Sequence, residues 1–139
     1  MTGDVRVLIV DDLTCTREGL RALLATWPRL AALAEAASGE QALEEAATFQ
    51  PDVALMDVRM PGMDGLEATR RIKARWPKVK VIVLSLYGEY ADEALAAGAD
   101  AFVSKGEPAG RLLAALERVT PPAARRPCTS PAKSSLSDG

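Results

Sequence analysis

The segment ALMDVRMPGMDGLEATRRI, residues 54–72, decides how this chain folds. It opens within an apolar run at residues 53–56, and an apolar run without polar alternation predicts a strand buried on both faces. Asp57 follows that strand directly. Asp64 stands three residues before Glu67, a spacing at which the aspartate caps the start of a helix. A buried strand, a polar loop and a capped helix in this order predict one βα unit.

The same unit recurs on either side of this segment, from about residue 5 to residue 119. Apolar runs predict five strands, of which the second is weak. These runs lie at residues 5–10, 33–36, 53–56, 79–84 and 101–103. The sequence therefore predicts an α/β fold, a flavodoxin-like (βα)5 three-layer sandwich whose five-stranded parallel sheet has the order 2-1-3-4-5.

Helices are predicted between these strands. Three stretches repeat apolar residues at i, i+3, i+4 and i+7, or nearly so, which is typical of a helix with one face in the core. Ser38, three residues before Gln41, predicts a capped start for the second helix. The stripes are Leu20, Leu23, Leu24 and Trp27 in the first helix, Ala91, Ala94, Leu95 and Gly98 in the fourth, and Leu112, Leu113, Leu116 and Val119 in the fifth.

The composition limits the classes of protein to consider. The chain has 139 residues, 48% of them hydrophobic, which suffices for one domain with a sizeable core. Its formal net charge of −2 gives no basic surplus for direct binding to nucleic acid or to an anionic membrane. It contains no histidine, which excludes a histidine phosphodonor and a Ser/His hydrolytic pair. Two cysteines and no signal-peptide pattern predict a cytoplasmic protein without disulfides.

Polar side chains follow four of the predicted strands. Asp11 and Asp12 come after the first strand, Asp57 after the third, Ser85 after the fourth and Lys105 after the fifth. Ligands of an open parallel sheet bind at the carboxyl ends of its strands, so these side chains are expected to share one crevice. Taken singly, each aspartate is explained as a helix cap, but the whole set indicates a site. Three carboxylates that repel one another favour a bound cation, and Mg²⁺ suits carboxylates combined with phosphate oxygens.

These motifs resemble the receiver domains of two-component response regulators. The likeness rests on LIVDD at residues 8–12, the quoted segment at 54–72, VIVLS at 81–85 and GADAFVSK at 98–105. Details such as REGL at residues 17–20 are similar to the NarL/FixJ (LuxR-type) subfamily, whose full-length members are transcription factors. The resemblance implies a receiver domain at residues 3–119. The Pro- and Ser-rich composition of residues 120–139 predicts a disordered tail or interdomain linker.

The resemblance implies that Asp57 is the phosphoacceptor. It implies that Asp12 and Asp57 bind Mg²⁺ together with the main-chain carbonyl of Arg59, and that Asp11 binds the ion through water. Lys105 is the implied partner of the phosphoryl oxygens. The phosphoryl group comes from a sensor histidine kinase or a histidine phosphotransfer protein. The chain is then a self-catalysing phosphoacceptor and not a metabolic enzyme.

Ser85 and Phe102 match the two switch residues of the family. Phosphorylation is expected to move them and so to change the surface of helix four, strand five and helix five. Phe102 has no hydroxyl that would favour an outward pose, which favours an inward one. Arg59 and Tyr87 lie two residues after Asp57 and Ser85, where large side chains are expected to slow loss of the phosphoryl group. Lys105 is followed by glycine, so a cis peptide is not assumed there.

The output of the receiver stays open at this point. One reading is a stand-alone receiver that acts by protein contact; the other is the receiver half of a DNA-binding NarL/FixJ-type regulator whose helix-turn-helix domain is missing from this chain. By family analogy, a homodimer is possible in either form. No contact with a membrane is expected. An aspartyl-phosphate hydrolase is disfavoured because Arg59 occupies the position of its second aspartate. A flavin-binding module is disfavoured because the acidic first loop repels phosphate.

Overall fold

The computed structural model describes residues 3–86 and 88–120 of the chain. Strands and helices alternate through this part. The strands are β1 Val5–Val10, β2 Leu30–Ala36, β3 Val53–Asp57, β4 Lys80–Ser85 and β5 Ala101–Ser104. The helices are α1 Thr14–Leu24, α2 Gly39–Thr48, α3 Gly65–Arg75, α4 Ala91–Ala96 and α5 Ala109–Val119, and a 3-10 turn at Gly88–Tyr90 leads into α4.

All strand pairs in the sheet are parallel, and the strand order is β2-β1-β3-β4-β5. This confirms the predicted fold. The register sets Val10 beside Met56, Asp57 beside Leu84, and Ser85 beside Ser104. The carboxyl ends of β1, β3, β4 and β5 therefore lie side by side, as predicted for the site.

Helices cover both faces of the sheet, which explains why the strands lack polar alternation. Alternate residues of β1 face opposite sides: Val7 and Ile9 pack with α1 and α5, whereas Leu8 and Val10 pack with α2, α3 and α4. All four side chains are buried. Full burial of one such aliphatic side chain contributes roughly 1.5–3 kcal/mol to stability, so the central strands supply much of the driving force for folding.

Both predicted helix caps are confirmed. The Gln41 amide donates to Ser38 Oγ at 3.1 Å, and the Glu67 amide donates to Asp64 Oδ1 at 2.9 Å. The first residue of α3 is Gly65, whose amide donates to the carbonyl oxygen of Val58 at 2.9 Å. The loop between β3 and α3 is thus closed tightly at its base.

Three details predicted from the sequence are wrong. Trp27, predicted to lie in the first helix, is buried but lies beyond the end of α1 at Leu24. Leu95 is 54% exposed rather than in the core, and Gly98 lies beyond the end of α4 with φ of +105°. The reason is that α4 is only six residues long and buries Ala94 alone. In addition, β2 begins at Leu30 and not at residue 33, because this half-exposed edge strand has no strong apolar run to mark its start.

The end of α5 is held at the amino-terminal ends of the strands, opposite to the site. Arg29 contacts Asp4 at 3.2 Å, Glu117 Oε1 at 2.9 Å and the carbonyl oxygen of Thr120 at 2.9 Å. The indole of Trp27 donates to the other oxygen of Glu117 at 2.9 Å. These contacts fix where the chain leaves the described domain. The rest of the predicted tail lies outside the described residues, so its boundary and its disorder stay predictions.

No helix in the described ranges is both long and apolar enough to cross a membrane.

Candidate functional site

Three carboxylates meet at the carboxyl ends of β1 and β3. One oxygen each of Asp11, Asp12 and Asp57 lies within 4.8 Å of the others. Asp11 is 1% exposed and Asp57 8% exposed, whereas Asp12 is half-buried. Since buried carboxylates need a compensating charge, this donor set fits a hard divalent cation such as Mg²⁺.

Lys105 supplies the positive charge within the cluster. Its Nζ lies 2.9 Å from Asp11 Oδ2 and 2.9 Å from Asp57 Oδ1. Lys105 follows β5, and its amide donates to the carbonyl oxygen of Ser85 at 2.8 Å, which holds it level with the end of β4. One ammonium neutralises only one of the three carboxylate charges. The cluster therefore keeps a net negative charge that a further cation would neutralise.

Burial and neighbouring charge alter the acidity of the two central groups. Burial raises the pKa of Asp57, the hydrogen bond and charge of Lys105 oppose that rise, and the charges of Asp11 and Asp12 add to it. Burial acts to lower the pKa of Lys105, but the bonds to Asp57 and Asp11 outweigh it and the pKa is raised. A cation beside Asp57 would favour its ionised, nucleophilic form.

Asp11 also serves the local turn. Its Oδ1 accepts a hydrogen bond from the Leu13 amide at 2.9 Å, while its Oδ2 contacts Lys105. The alternative prediction, that the aspartates only stabilise the loops, therefore describes the role of one oxygen of Asp11. The cap position of α1 itself is occupied by Leu13, which makes no side-chain cap.

The predicted switch residues lie on β4 and β5. Ser85 is 2% exposed and is the last residue of β4, one step beyond Leu84, the register partner of Asp57. Phe102 is half-buried and packs against the part of the core that lies under α2, α3 and α4. The inward pose expected of the ring stays a prediction. Their roles in switching stay predictions.

The two residues predicted to slow loss of the phosphoryl group are Arg59 and Tyr87. Arg59 is exposed and lines a cavity of about 460 Å³ together with Asp64 and Tyr90. Tyr87 lies outside the described residues, so its predicted influence on phosphate loss stays a prediction, as do both roles given to Arg59. Among the described residues no peptide bond is cis, and the bond from Lys105 to Gly106 is therefore trans.

Sequence reasoning missed an arginine beside the acidic cluster. Arg17 on α1 donates to the carbonyl oxygen of Asp11 at 2.5 Å and to Glu35 Oε1 at 3.0 Å. Arg21 donates to the other oxygen of Glu35 at 2.7 Å and is the main cause of the lowered pKa of Glu35. The available signal was the spacing of the two arginines by four residues, which puts them on one helix face.

A family model for the response regulator receiver domain matches residues 7–117. Response regulator GacA of Pseudomonas viridiflava is 38% identical over 117 residues, which cover 83% of this chain and 55% of that protein. Transcriptional regulatory protein DegU of Brevibacillus brevis is 38% identical over 117 residues, covering 83% of this chain and 50% of that protein. The crystal structure of a two-component response regulator of the LuxR family from Aurantimonas sp. SI85-9A1 superposes with a TM-score of 0.80 at 32% identity, covering 84% of this chain and 85% of that one.

The fold and the comparisons define a receiver of the two-component type. The chain belongs to the family of response regulator receiver domains, and its neighbours in structure include the LuxR family. It spans about half the length of the curated relatives it matches. Receiver domains interact with sensor histidine kinases, typically bind Mg²⁺ through acidic residues, and are generally not enzymes.

Proposed function

We propose that Asp57 accepts a phosphoryl group from the phosphohistidine of a sensor histidine kinase or a histidine phosphotransfer protein, in a reaction that requires Mg²⁺. One observation carries the proposal. The Nζ atom of Lys105 lies 2.9 Å from Asp57 Oδ1 and 2.9 Å from Asp11 Oδ2, beside the third carboxylate of Asp12. A nucleophile, a cation-binding pair of acids and a phosphate-binding amine are thereby brought together.

In the proposed step a carboxylate oxygen of Asp57 forms the bond to phosphorus in line with the leaving imidazole. The P–N bond breaks, its electron pair stays on the imidazole nitrogen, and that nitrogen takes up a proton. Lys105, already in contact with Asp57, pairs with a phosphoryl oxygen, and the Ser85 hydroxyl donates to another. Bound Mg²⁺ supplies positive charge to the phosphoryl oxygens, with Asp11, Asp12, Asp57 and the Arg59 carbonyl as the groups that would hold it.

The proposed output of this step is a change in the surface formed by α4, β5 and α5. Ser85 and Phe102 connect the site to that surface, because one ends β4 and the other packs from β5 toward the α4 side of the sheet. We assign the chain no turnover of its own beyond self-catalysed phosphoryl transfer and autodephosphorylation. We place its action in the cytoplasm, with homodimers as one form in which the switched surface acts.

Two forms of output remain as proposals. The chain acts either as a receiver that signals by protein contact, or as the receiver half of a NarL/FixJ-type transcription regulator in which DNA is bound by a separate domain. The second is favoured by the relatives, which are about twice as long as the matched region and include a protein named as a transcriptional regulator.

Arg59 and Tyr87 are proposed to lengthen the life of the phosphoryl group by crowding the water that attacks it. The paired change Arg59→Asn and Tyr87→Ala should shorten the half-life of the aspartyl phosphate. The half-life is followed by intact mass after removal of the phosphodonor, and an unchanged value would remove this role.

The phosphoacceptor proposal is tested by intact mass after incubation with acetyl phosphate and Mg²⁺. Wild-type protein should gain one phosphoryl mass, whereas Asp57→Asn and a wild-type sample with chelator should not. A gain in Asp57→Asn would move the acceptor to another residue. No gain in wild-type protein, with acetyl phosphate or with a phosphorylated histidine kinase, would contradict the proposal.

A further inference from the structure

Arg17 lies behind the acidic cluster and contacts none of its carboxylates within the distance of an ion pair. Its side chain is 15% exposed and uses three nitrogens at once. Nη1 donates to the carbonyl oxygen of Asp11 at 2.5 Å, Nε to Glu35 Oε1 at 3.0 Å, and Nη2 to Thr14 Oγ1 at 3.3 Å. The planar guanidinium therefore joins the end of β1 to β2 and to the start of α1.

The carbonyl that Arg17 holds belongs to the peptide between Asp11 and Asp12. The direction of this peptide determines where both acidic side chains point. On one side it is fixed by the Asp11 amide, which donates to the Ala36 carbonyl oxygen at 3.1 Å. On the other it is fixed by the Leu13 amide, which donates to Asp11 Oδ1 at 2.9 Å. The contact from Arg17 fixes the carbonyl itself, which lies where the strand pairing of β1 ends.

Glu35 keeps the guanidinium in place. It lies on β2 as the register partner of Ile9, on the face of the sheet that α1 covers. Its second oxygen accepts from Arg21 Nε at 2.7 Å. Arg21 is 49% exposed and, unlike Arg17, has no hydrogen bond to the Asp11–Asp12 loop among the described residues. Both arginines therefore bind Glu35, but only Arg17 also binds the loop that carries Asp11 and Asp12.

We propose that Arg17, anchored by Glu35, is a positioning residue that aims the carboxylates of Asp11 and Asp12 at the bound cation. The proposal deepens the function above, because it rests on the cation site that the phosphoryl transfer needs. Groups behind a metal ligand typically change metal affinity by 10–100-fold when they are lost, since they orient the ligand. A lysine has a single donor atom and cannot hold Asp11, Glu35 and Thr14 in the same planar geometry.

The experiment measures Mn²⁺ binding to metal-free protein from the loss of the free Mn²⁺ signal in electron paramagnetic resonance. Mn²⁺ is used because it takes the same oxygen ligands as Mg²⁺. Arg17→Met should weaken Mn²⁺ binding by about 10-fold or more, and Arg17→Lys should recover only part of that loss. The matched control, Arg21→Met, removes a contact to the same Glu35 and should stay within about twofold of wild type.

Thermal unfolding of the metal-free variants separates aiming from general weakening of the fold. If Arg17→Met does not fold, Arg17→Lys and Glu35→Gln take its place, and both should weaken Mn²⁺ binding more than Arg21→Met does. Equal Mn²⁺ affinity in the Arg17 and Arg21 variants would overturn the inference. So would an affinity loss in Arg17→Met no larger than that in a variant destabilised to the same extent elsewhere.

Phosphoryl gain from acetyl phosphate is recorded on the same samples, so that the two proposals fail separately. Wild-type protein that binds Mn²⁺ and gains phosphate, with Arg17→Met unchanged in both, overturns the inference and leaves the function standing. Wild-type protein that binds Mn²⁺ and gains no phosphate overturns the function, while weaker Mn²⁺ binding in Arg17→Met still supports the inference. Wild-type protein that binds no Mn²⁺ overturns both.

Discussion

Among the single residues of the site, the negative charges outnumber the positive ones. Lys105 contacts Asp11 and Asp57, and Asp12 has no ion pair among the described residues. Two unlike charges at about 4 Å interact by roughly 4 kcal/mol at the effective dielectric of a protein surface, and like charges repel to the same degree. The metal-free cluster therefore stores repulsion, which a cation relieves on binding.

The change Asp12→Asn should have opposite effects on stability and on cation binding. It removes one like charge without breaking a described ion pair, so the free energy of unfolding of the metal-free protein should rise by about 1 kcal/mol. Stabilisation by Mg²⁺ should shrink, because a ligand of the ion is lost. Urea unfolding with and without Mg²⁺ measures both effects. A variant that is less stable than wild type without metal would show that repulsion within the cluster is negligible.

The raised pKa of Asp57 predicts a pH dependence of phosphoryl acceptance. Burial is the main cause of the rise, so Asp57 takes up a proton at a higher pH than an exposed aspartate does. Only the carboxylate is nucleophilic, and the initial rate should therefore fall on acidification while ordinary aspartates are still ionised. More Mg²⁺ should shift this fall to lower pH, since the cation favours the charged form. Initial rates by intact mass at several Mg²⁺ concentrations test this, and a profile that does not move with Mg²⁺ would contradict it.

At the scale of elements, the junction of β3 and α3 depends on a glycine. A Cβ on Gly65 would lie 1.9 Å from the carbonyl oxygen of Asp57, closer than any real contact. Only a residue without a side chain lets the helix begin this near to Asp57. The tight base of the loop therefore depends on glycine at position 65.

Gly65→Ala should destabilise the protein by about 1–3 kcal/mol, because α3 must move away from β3. The same shift should slow phosphoryl acceptance by displacing Asp57. Gly19→Ala is the matched control: Gly19 lies within α1, and a Cβ there meets nothing within 4 Å. It should raise stability by roughly 0.5–1 kcal/mol, the usual gain of alanine over glycine in a helix. Urea unfolding of both variants decides the matter, and equal behaviour of the two would be the contrary result.

The elements also show which parts of the molecule could be predicted from the sequence. Local patterns were sufficient for the buried central strands and for the caps at Ser38 and Asp64, because these depend on neighbours in the chain. The start of β2 was missed because an edge strand is only half-buried and has a weak pattern. The contact of Arg17 with Glu35 was missed because it joins a helix to a strand, and only the sheet register brings the two together.

In the whole molecule, the two ends of the strands carry different clusters of charged side chains. The acidic cluster lies at the carboxyl ends of the strands. The network of Arg29 with Asp4, Glu117 and Thr120 lies at the amino-terminal ends. Strand β1 has six residues, and at about 3.3 Å per residue this separates the two ends by roughly 20 Å. Thr120, which directly follows α5, lies within the second network.

Arg29→Met should lower the free energy of unfolding by about 1–3 kcal/mol, because Asp4 and the Thr120 carbonyl lose this donor in a half-buried position. Hydrogen exchange at the end of α5 should rise, including the Thr120 amide, which donates to Leu116. Arg71→Met is the control, since its ion pair is exposed on α3 and should be worth less than about 1 kcal/mol. Equal protection of α5 in both variants would show that Arg29 does not hold this end.

The anchored end of α5 limits how the proposed switch acts on a segment after Thr120. Such a segment starts from a point that is clamped to the amino-terminal edge of the sheet, about a full strand length from Asp57. The proposed phosphorylation of Asp57, at the opposite ends of the strands, is expected to leave this attachment point where it is. We therefore expect the proposed switch to change what the α4–β5–α5 surface binds, while the point from which a following segment departs stays fixed.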